Sequence, residues 1–377
     1  MLGRDGMTRP PRSPTKSPLG PKDPPQVLPM LATGLPKAHR GGGRKCVTAA
    51  RETLKKRGFT DLEARLAGMA EDVHRENVKV VQDWGLDFWE LSEERMAELC
   101  WSMLREWGLV EAFNIAPARF AALVVVLFEH SHQVPYHTKH HWFSVTATTF
   151  TILHSCPEVR RRLTKLELLA VIVGSLGHDT DHPGVTNGFL SSVSHDLAIR
   201  YNDISILENH HAATYFSLLA REDCNFLSSL TKKDCGKLRG LVVACILNTD
   251  MARHFNLLED FKATMPSWHS TEGGRRTLLS MVVHCADIGN PLRSWPVYKK
   301  CADRIASEFS AQVRLEDHFS LPRTPHMVGL EKPTAQAKME KGFARVFCSP
   351  TLQLLQRKFP QLEERVVVLK QNCARWG

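Results

Sequence analysis

Apolar residues along this chain recur at steps of three and four, the spacing of one face of an α-helix, and they rarely alternate as in a strand. The repeats run over Leu62, Leu66, Met69 and Val73, over Met96, Leu99, Met103 and Trp107, and over Leu362, Val366 and Leu369. Helix-breaking residues stand between such segments at Gly108, Pro117, Pro135, Pro157, Gly184, Pro266, Pro291 and Pro322. Their spacing suits many helices of ordinary length. The sequence therefore predicts an all-α fold with one compact multi-helix domain.

The net charge of +9 is unevenly distributed along the 377 residues. Residues 1–45 carry nine Lys or Arg, two Asp or Glu and nine prolines. Few of these residues can bury apolar area, so the segment is predicted to be a disordered basic tail, followed by a catalytic domain over 46–377. The domain is almost neutral and lacks a patterned basic face, which argues against nucleic-acid binding.

The apolar runs are all shorter than the roughly 18 residues that cross a bilayer, and the first residues lack the apolar core of a secretory signal. The ten cysteines are scattered from Cys46 to Cys373 without a C-x-x-C pair. We therefore expect free thiols in a cytoplasmic protein with no transmembrane segment. The sequence leaves the oligomeric state open.

Histidines and carboxylates concentrate in four stretches. His137 and His141 are four residues apart and are predicted to share a helix face. A mostly apolar run over 166–176 leads into Gly177-His178-Asp179-Thr180-Asp181-His182-Pro183-Gly184. The other two stretches are residues 207–211 (LENHH) and 284–291 (HCADIGNP). Charged groups at the end of a buried helix are costly without a partner or a cation, so the second stretch predicts a metal site.

Two imidazoles and two carboxylates, from His141, His178, Asp179 and Asp287, make a mixed nitrogen and oxygen set that suits zinc or another first-row ion. A harder ion such as magnesium would share Asp179 and keep most of its water. Two adjacent cations activate water and shield a phosphoryl oxygen. Phosphoester hydrolysis is therefore the predicted reaction.

The string from His178 to Asn187, HDTDHPGVTN, matches the HD-x-D-H-x-G-x-x-N signature, and the chain resembles the class I 3',5'-cyclic nucleotide phosphodiesterases over about residues 84–359. Residues 197–205 (LAIRYNDIS), the LENHH stretch and residues 249–254 (TDMARH) look closest to the high-affinity cGMP-specific branch. The resemblance implies the helical fold of that family. It also implies hydrolysis of cGMP, or of cAMP, to the 5'-monophosphate, which ends a second-messenger signal.

Carried over by residue, the resemblance implies that His141, His178, Asp179 and Asp287 hold a tight Zn²⁺ and that Asp179 also reaches a Mg²⁺ or Mn²⁺. His182, Glu208, His211 and Thr249 match positions that hold the waters of the second ion or support the ligands. His137 matches the general acid, which protonates the departing O3'. We also expect Glu208 to keep His137 protonated through a carboxylate to imidazole hydrogen bond.

The resemblance implies that the cyclic nucleotide contacts Tyr136, Asn290, Ile305, Glu340 and Phe343, the last with Ile305 as a clamp around the base. Three positions depart from the family pattern. Glu340 stands where a glutamine is expected, with Gln336 as an alternative; Gln312-Val313-Arg314 replaces Gln-Gly-Asp and predicts an altered loop at the pocket mouth; and Cys301 replaces a tryptophan. An ionised glutamate only accepts hydrogen bonds, so base selectivity is the open question.

Two other interpretations compete with a cyclic nucleotide phosphodiesterase. One is another HD-type metal phosphohydrolase acting on nucleoside phosphates, against which the LENHH stretch and the Gly-Phe clamp argue. The other is a catalytically silent nucleotide sensor whose pocket changed at Glu340 and Arg314. Release of the 5'-monophosphate from a cyclic nucleotide separates the three.

Overall fold

A computed structural model describes residues 43–377 of the chain. Most of the predicted basic tail, residues 1–42, lies outside the described residues. The first helix begins at Gly43, three residues before the predicted domain boundary.

Within residues 43–377 the secondary structure is helical, with nineteen α-helices and no β-strand. The α-helices are α1 (Gly43–Lys56), α2 (Leu62–Ala67), α3 (Glu71–Gln82), α4 (Glu93–Glu106), α5 (Leu109–Ala112), α6 (Pro117–Glu129), α7 (Lys139–His154), α8 (Pro157–Arg160), α9 (Lys165–Gly177), α10 (Asn187–Ser192), α11 (Asp196–Tyr201), α12 (Ile206–Leu219), α13 (Lys232–Leu247), α14 (His254–Thr264), α15 (Glu272–Asp287), α16 (Trp295–His318), α17 (Pro333–Phe343), α18 (Ser349–Gln356) and α19 (Glu363–Arg375). The predicted all-α fold is confirmed.

The predicted helix breaks fall where the chain leaves one helix for another. Pro117 and Pro157 occupy the first positions of α6 and α8, where the missing N–H of proline costs nothing. Gly108 has a φ of 60° between α4 and α5, a conformation that glycine adopts without steric strain.

The first predicted stripe is wrong in one respect. Leu62 and Leu66 are buried on α2, but that helix ends at Ala67, and Val73 on α3 is 45% exposed. The spacing of three and four residues continues from α2 into α3 by coincidence. Because the chain turns between the two helices, Val73 does not share the buried face of α2. The repeat from Met96 to Trp107, which covers α4 and the residue after it, is buried as predicted.

Helix α9 runs through the centre of the molecule and packs against α7, α13 and α15. Every residue from Glu167 to Gly177 is buried. Thr164 and Glu167 form a capping box at its start, and Arg275 of α15 donates to Glu167 over 2.6 Å. This anchored helix delivers His178 and Asp179 at its carboxyl end.

The longest helix, α16, lies along the site and turns one face inward. Tyr298, Glu308 and Gln312 are buried on that face at helical spacing. Residues 312–314 lie inside α16, so the predicted loop at the pocket mouth is wrong. Gln312 instead accepts a hydrogen bond from the Thr186 amide over 2.8 Å.

None of the helices described for residues 43–377 is long and apolar enough to cross a membrane.

Candidate metal centre and active site

Four predicted ligands from three helices meet at one point. His141 lies in the first turn of α7, His178 and Asp179 directly follow α9, and Asp287 is the last residue of α15. One ligand atom from each lies within 4.8 Å of the others. The Nε2 atom of His141 is 3.0 Å from Oδ1 of Asp287 and 3.3 Å from Nε2 of His178. The arrangement has the donor types and the size of a site for a divalent cation.

Two histidines in the centre have their orientation set by backbone carbonyls. The Nδ1–H of His178 donates to the Ser175 carbonyl over 2.8 Å, and that of His211 donates to the Thr180 carbonyl over 2.7 Å. A proton on Nδ1 leaves the lone pair on Nε2. For His178 that atom is 3.2 Å from Oδ2 of Asp179, so Nε2 points into the ligand cluster, where it would bind a cation after losing its proton.

The charges of this cluster balance each other only partly. Burial disfavours a charged imidazole at His178, but Asp179 and Asp287 together outweigh it and raise the pKa of His178 well above its usual range. Burial also opposes ionisation of Asp287, yet His141 and His178 hold its pKa well below the usual range. The two ionised carboxylates have little contact with solvent and carry two negative charges, which a bound dication would neutralise.

His137 does not share a helix face with His141, because α7 begins at Lys139 and His137 precedes it. Its predicted contact with Glu208 is also wrong. The Nδ1 atom of His137 hydrogen-bonds Oε1 of Glu308 on α16, and the amides of Tyr136 and His137 donate to Oε2 over 2.9 and 3.1 Å. Burial lowers the pKa of His137, but Glu308, with smaller contributions from Asp179 and Asp287, raises it to about 9. Glu308 therefore holds His137 in place and favours its protonated form.

Glu208 lies on α12 and binds a different partner. The side-chain amide of Asn187 donates to both of its oxygens, over 3.0 and 3.3 Å. Burial and the nearby Asp250 raise the pKa of Glu208 to about 7. Thr249 is buried at the end of α13, where its hydroxyl donates to the Ile246 carbonyl over 2.7 Å.

His182 lies between the centre and His137. Its ring stacks on the His137 ring with centroids 4.0 Å apart, and its Nδ1 accepts from the Gly184 amide over 3.0 Å. Together with His211 it brings a ligand atom within 4.8 Å of Asp179. Burial first, and then His137, hold the pKa of His182 well below its usual range. A neutral imidazole with its proton on Nε2 results.

Asp181, within the signature motif, has a φ of 68°, an uncommon value for a residue other than glycine. Its carboxylate accepts from Nε2 of His132 over 2.8 Å and from Nε2 of His210 over 2.7 Å. These two contacts hold the turn that directs Asp179 and His182 to the same side.

The predicted substrate residues belong to two groups. Tyr136 and Asn290 touch each other, with the Asn290 amide donating to the tyrosine hydroxyl over 2.6 Å, and the Tyr136 ring lies 4.6 Å from that of His141. Ile305 and Phe343 are partly buried against the core from α16 and α17.

Glu340 and Gln336 are both buried on α17 and have different partners. The Tyr298 hydroxyl donates to Oε2 of Glu340 over 2.8 Å, and Gln336 donates to Asp303 over 2.8 Å. The amide nitrogen of Gln336 is thus engaged by a carboxylate of α16.

Glu308 and Tyr298 were not predicted from the sequence. Both contact predicted site residues across more than 40 residues of chain, and neither stands in a recognisable motif. The helical spacing of Tyr298, Ile305 and Glu308 on one face of α16 is the signal that could have found them.

Comparisons with known proteins agree with this geometry. A family model described as 3'5'-cyclic nucleotide phosphodiesterase matches residues 136–369. The Mus musculus 3',5'-cyclic-AMP phosphodiesterase 4C is 34% identical over 72% of this chain and 41% of its own length. The Mus musculus high affinity cGMP-specific 3',5'-cyclic phosphodiesterase 9A is 30% identical over 78% of this chain and 54% of its own. The chain spans about half the length of these curated relatives.

A solved structure shares the fold. The phosphodiesterase domain of the Salpingoeca rosetta rhodopsin phosphodiesterase superposes with a TM-score of 0.75 at 32% identity. The match covers 78% of this chain and 90% of that domain.

Proposed function

Because this chain belongs to the 3',5'-cyclic nucleotide phosphodiesterase family, we propose that it hydrolyses a 3',5'-cyclic nucleotide to the 5'-monophosphate. The observation that carries the proposal is the meeting of four metal-type ligands beside a histidine whose Nδ1 is hydrogen-bonded to a buried carboxylate. The ligand cluster and the His137–Glu308 pair are not explained by stability alone, because the desolvation of buried charged groups offsets most of their mutual attraction.

The residues fit a metal-dependent site. We assign His141, His178, Asp179 and Asp287 to a tight Zn²⁺ and a share of Asp179 to Mg²⁺ or Mn²⁺. The Ser175 carbonyl supports the first assignment, because it leaves Nε2 of His178 free to bind. When bound, the two cations would supply an activated water and neutralise charge on the phosphoryl oxygens.

His137 would act as the general acid. Its Nδ1 is engaged by Glu308, so the proton available for the departing O3' is on Nε2. Glu308 also binds the amides of Tyr136 and His137, which orients the imidazole through the backbone as well as through the ring. Glu308 is therefore proposed as a positioning residue.

His182, Glu208, His211 and Thr249 are proposed to hold waters or to orient ligands around the second cation. His211 supports this role, because its Nε2 is 3.7 Å from Oδ1 of Asp179. Glu208 is fixed by Asn187 of the signature motif, which keeps one carboxylate buried near the centre.

The cyclic nucleotide is proposed to lie between Ile305 and Phe343, with Glu340 at the edge of the base and with Tyr136 and Asn290 beside the phosphate. We propose that cGMP is favoured and that cAMP is also a substrate. The YNDIS and LENHH segments support the first part. The second part has support from a relative named for each nucleotide.

The test is release of 5'-GMP and 5'-AMP by the purified full chain supplied with Zn²⁺ and Mg²⁺. We expect His178→Ala and Asp287→Ala to lose turnover and bound zinc together. His137→Ala should keep zinc and lower kcat by about a hundredfold or more. Full zinc occupancy in either ligand variant would contradict the ligand assignment.

The same assay separates the competing functions. Phosphate released from a non-cyclic nucleoside monophosphate would indicate another HD-type phosphohydrolase. Binding of a cyclic nucleotide without turnover would indicate a sensor.

A cytoplasmic location is also proposed. It has support from the ten cysteines, which form no disulfide within residues 43–377.

A further inference from the structure

Glu340 has an asymmetric environment. The residue is only 4% exposed, and one of its oxygens, Oε2, accepts the Tyr298 hydroxyl over 2.8 Å. Among the described residues none donates to Oε1. Tyr298 is itself fully buried, and its ring lies 5.9 Å from that of Trp376 at the end of the chain. One carboxylate oxygen is thus held by the protein, and the other is left for a ligand.

We propose that the protonation state of Glu340 sets the choice between the two purines, so that the preference for cGMP over cAMP increases with pH. The proposal rests on the proposed function, in which Glu340 lies at the edge of the base. It adds a titratable selectivity switch to that site.

The hydrogen-bonding edges of the two purines explain why the preference for cGMP should increase with pH. A protonated Glu340 offers one donor and one acceptor, as a glutamine amide does, and can pair with either base. It donates to O6 of guanine and accepts from N1–H, or it donates to N1 of adenine and accepts from the N6 amino group. The second lone pair of Oε2 remains available beside the Tyr298 hydroxyl.

An ionised Glu340 has no donor. Guanine presents N1–H and the N2 amino group as neighbouring donors, and a shift of the base along this edge lets both donate to the ionised carboxylate while O6 moves away from it. Adenine presents the unprotonated N1, which then faces a negatively charged oxygen. Ionisation therefore weakens the binding of cAMP and leaves the binding of cGMP satisfied.

The surroundings place this titration near neutral pH. Burial raises the pKa of Glu340 to about 7, which outweighs the opposing effect of the Tyr298 hydrogen bond. Asp303 raises it further and Lys299 lowers it, but these two also pair with each other on α16. The remaining titratable groups near Glu340 are thiols whose own pKa values are raised by burial, and they are Cys301 of α16, Cys348 before α18 and Cys373 of α19. Neutral thiols leave Glu340 as the group that changes charge.

The measurement is the ratio of kcat/KM for cGMP to kcat/KM for cAMP, from pH 6 to pH 8. His137 and the metal centre serve both substrates, so their titrations cancel in the ratio. A pKa of about 7 takes the ionised fraction from about one tenth to about nine tenths over this range. We expect the ratio to rise about tenfold, the size of one lost buried hydrogen bond to a charged group.

Three variants test the cause. Glu340→Gln should give a ratio that does not change with pH and that lies near the acid limit of the unmodified chain. Tyr298→Phe removes a donor that lowers the pKa of Glu340, so the rise in the ratio should move to higher pH. Glu331→Gln, which removes one exposed carboxylate near the start of α17, should leave the pH profile of the ratio unchanged.

A ratio independent of pH in the unmodified chain would overturn the proposal, as would a rise that persists in Glu340→Gln. In both cases cyclic nucleotides are still hydrolysed, and the proposed function stands. Failure of the proposed function gives a different result, which is no 5'-monophosphate from either nucleotide at any pH.

Discussion

At the residue scale, the proton on His137 depends on one carboxylate from another helix. Against the effect of burial, Glu308 makes the largest contribution to raising the pKa of His137 to about 9, and Asp179 and Asp287 add to it. A raised pKa keeps the acid form through neutral pH and loses it as pH rises through that value. In Glu308→Gln the charge is gone, so we expect the alkaline limb of the kcat profile to move to lower pH and kcat at pH 8 to fall by about tenfold or more. Rates across pH 6–10 check this.

The matched control for that variant is Glu52→Gln, which removes an exposed carboxylate on α1. Its profile should coincide with that of the unmodified chain. An alkaline limb that stays in place in Glu308→Gln would mean that Glu308 does not govern the protonation of His137.

At the element scale, α9 delivers its ligands only because α12 approaches it without a side chain between them. A Cβ atom on Gly177 would lie 2.2 Å from the buried ring of Tyr215. Gly177→Ala forces the ring or the helix to shift next to His178, and we expect a loss of about 2–3 kcal/mol in the free energy of unfolding. Denaturant unfolding measures it, and bound zinc should fall in parallel.

Gly240, inside α13, is the control for the substitution itself. A Cβ at Gly240 meets nothing within 4 Å. Gly240→Ala should therefore raise the free energy of unfolding by about 0.5–1 kcal/mol, because alanine favours the helix interior. Equal effects at both glycines would show that packing against Tyr215 is not the cause.

At the scale of the whole molecule, the proposed cation would join α7, α9 and α15 through four ligands. A ligand that binds only the folded state stabilises it by mass action. We expect a chelator to lower the Tm and added Zn²⁺ to restore it. Asp287→Asn should show little response to either, and an equal response in that variant would argue against this ligand set.

Stability should also depend on Glu340. Its pKa is about 7 in the folded chain, above the usual value of 4.5, so the folded state binds the extra proton between these values. Folding stability from this group is therefore lost as pH rises from 4.5 to 7. The free energy of unfolding of Glu340→Gln, measured with denaturant, should exceed that of the unmodified chain by about 1–3 kcal/mol at pH 8 and by much less at pH 5. An equal difference at both pH values would mean that Glu340 is not neutral when buried at pH 5.

Patterns in the sequence alone predict the helical class, eight of the eighteen breaks between the described α-helices, and the residues proposed for the metal centre. These features are local, since periodicity, proline and a motif at the end of an apolar run need no knowledge of the rest of the chain. These patterns misplaced Val73 because periodicity alone cannot tell one helix from two.

The partners of the buried charges, by contrast, depend on the three-dimensional packing. His137 is held by Glu308, 171 residues away along the chain, and Glu340 by Tyr298, 42 residues away. Glu208 was the reasonable choice for His137 by sequence, but α12 directs it to Asn187. Which carboxylate meets which imidazole depends on how α16 packs across the other helices, and that packing results from burial summed over the whole core rather than from any single segment.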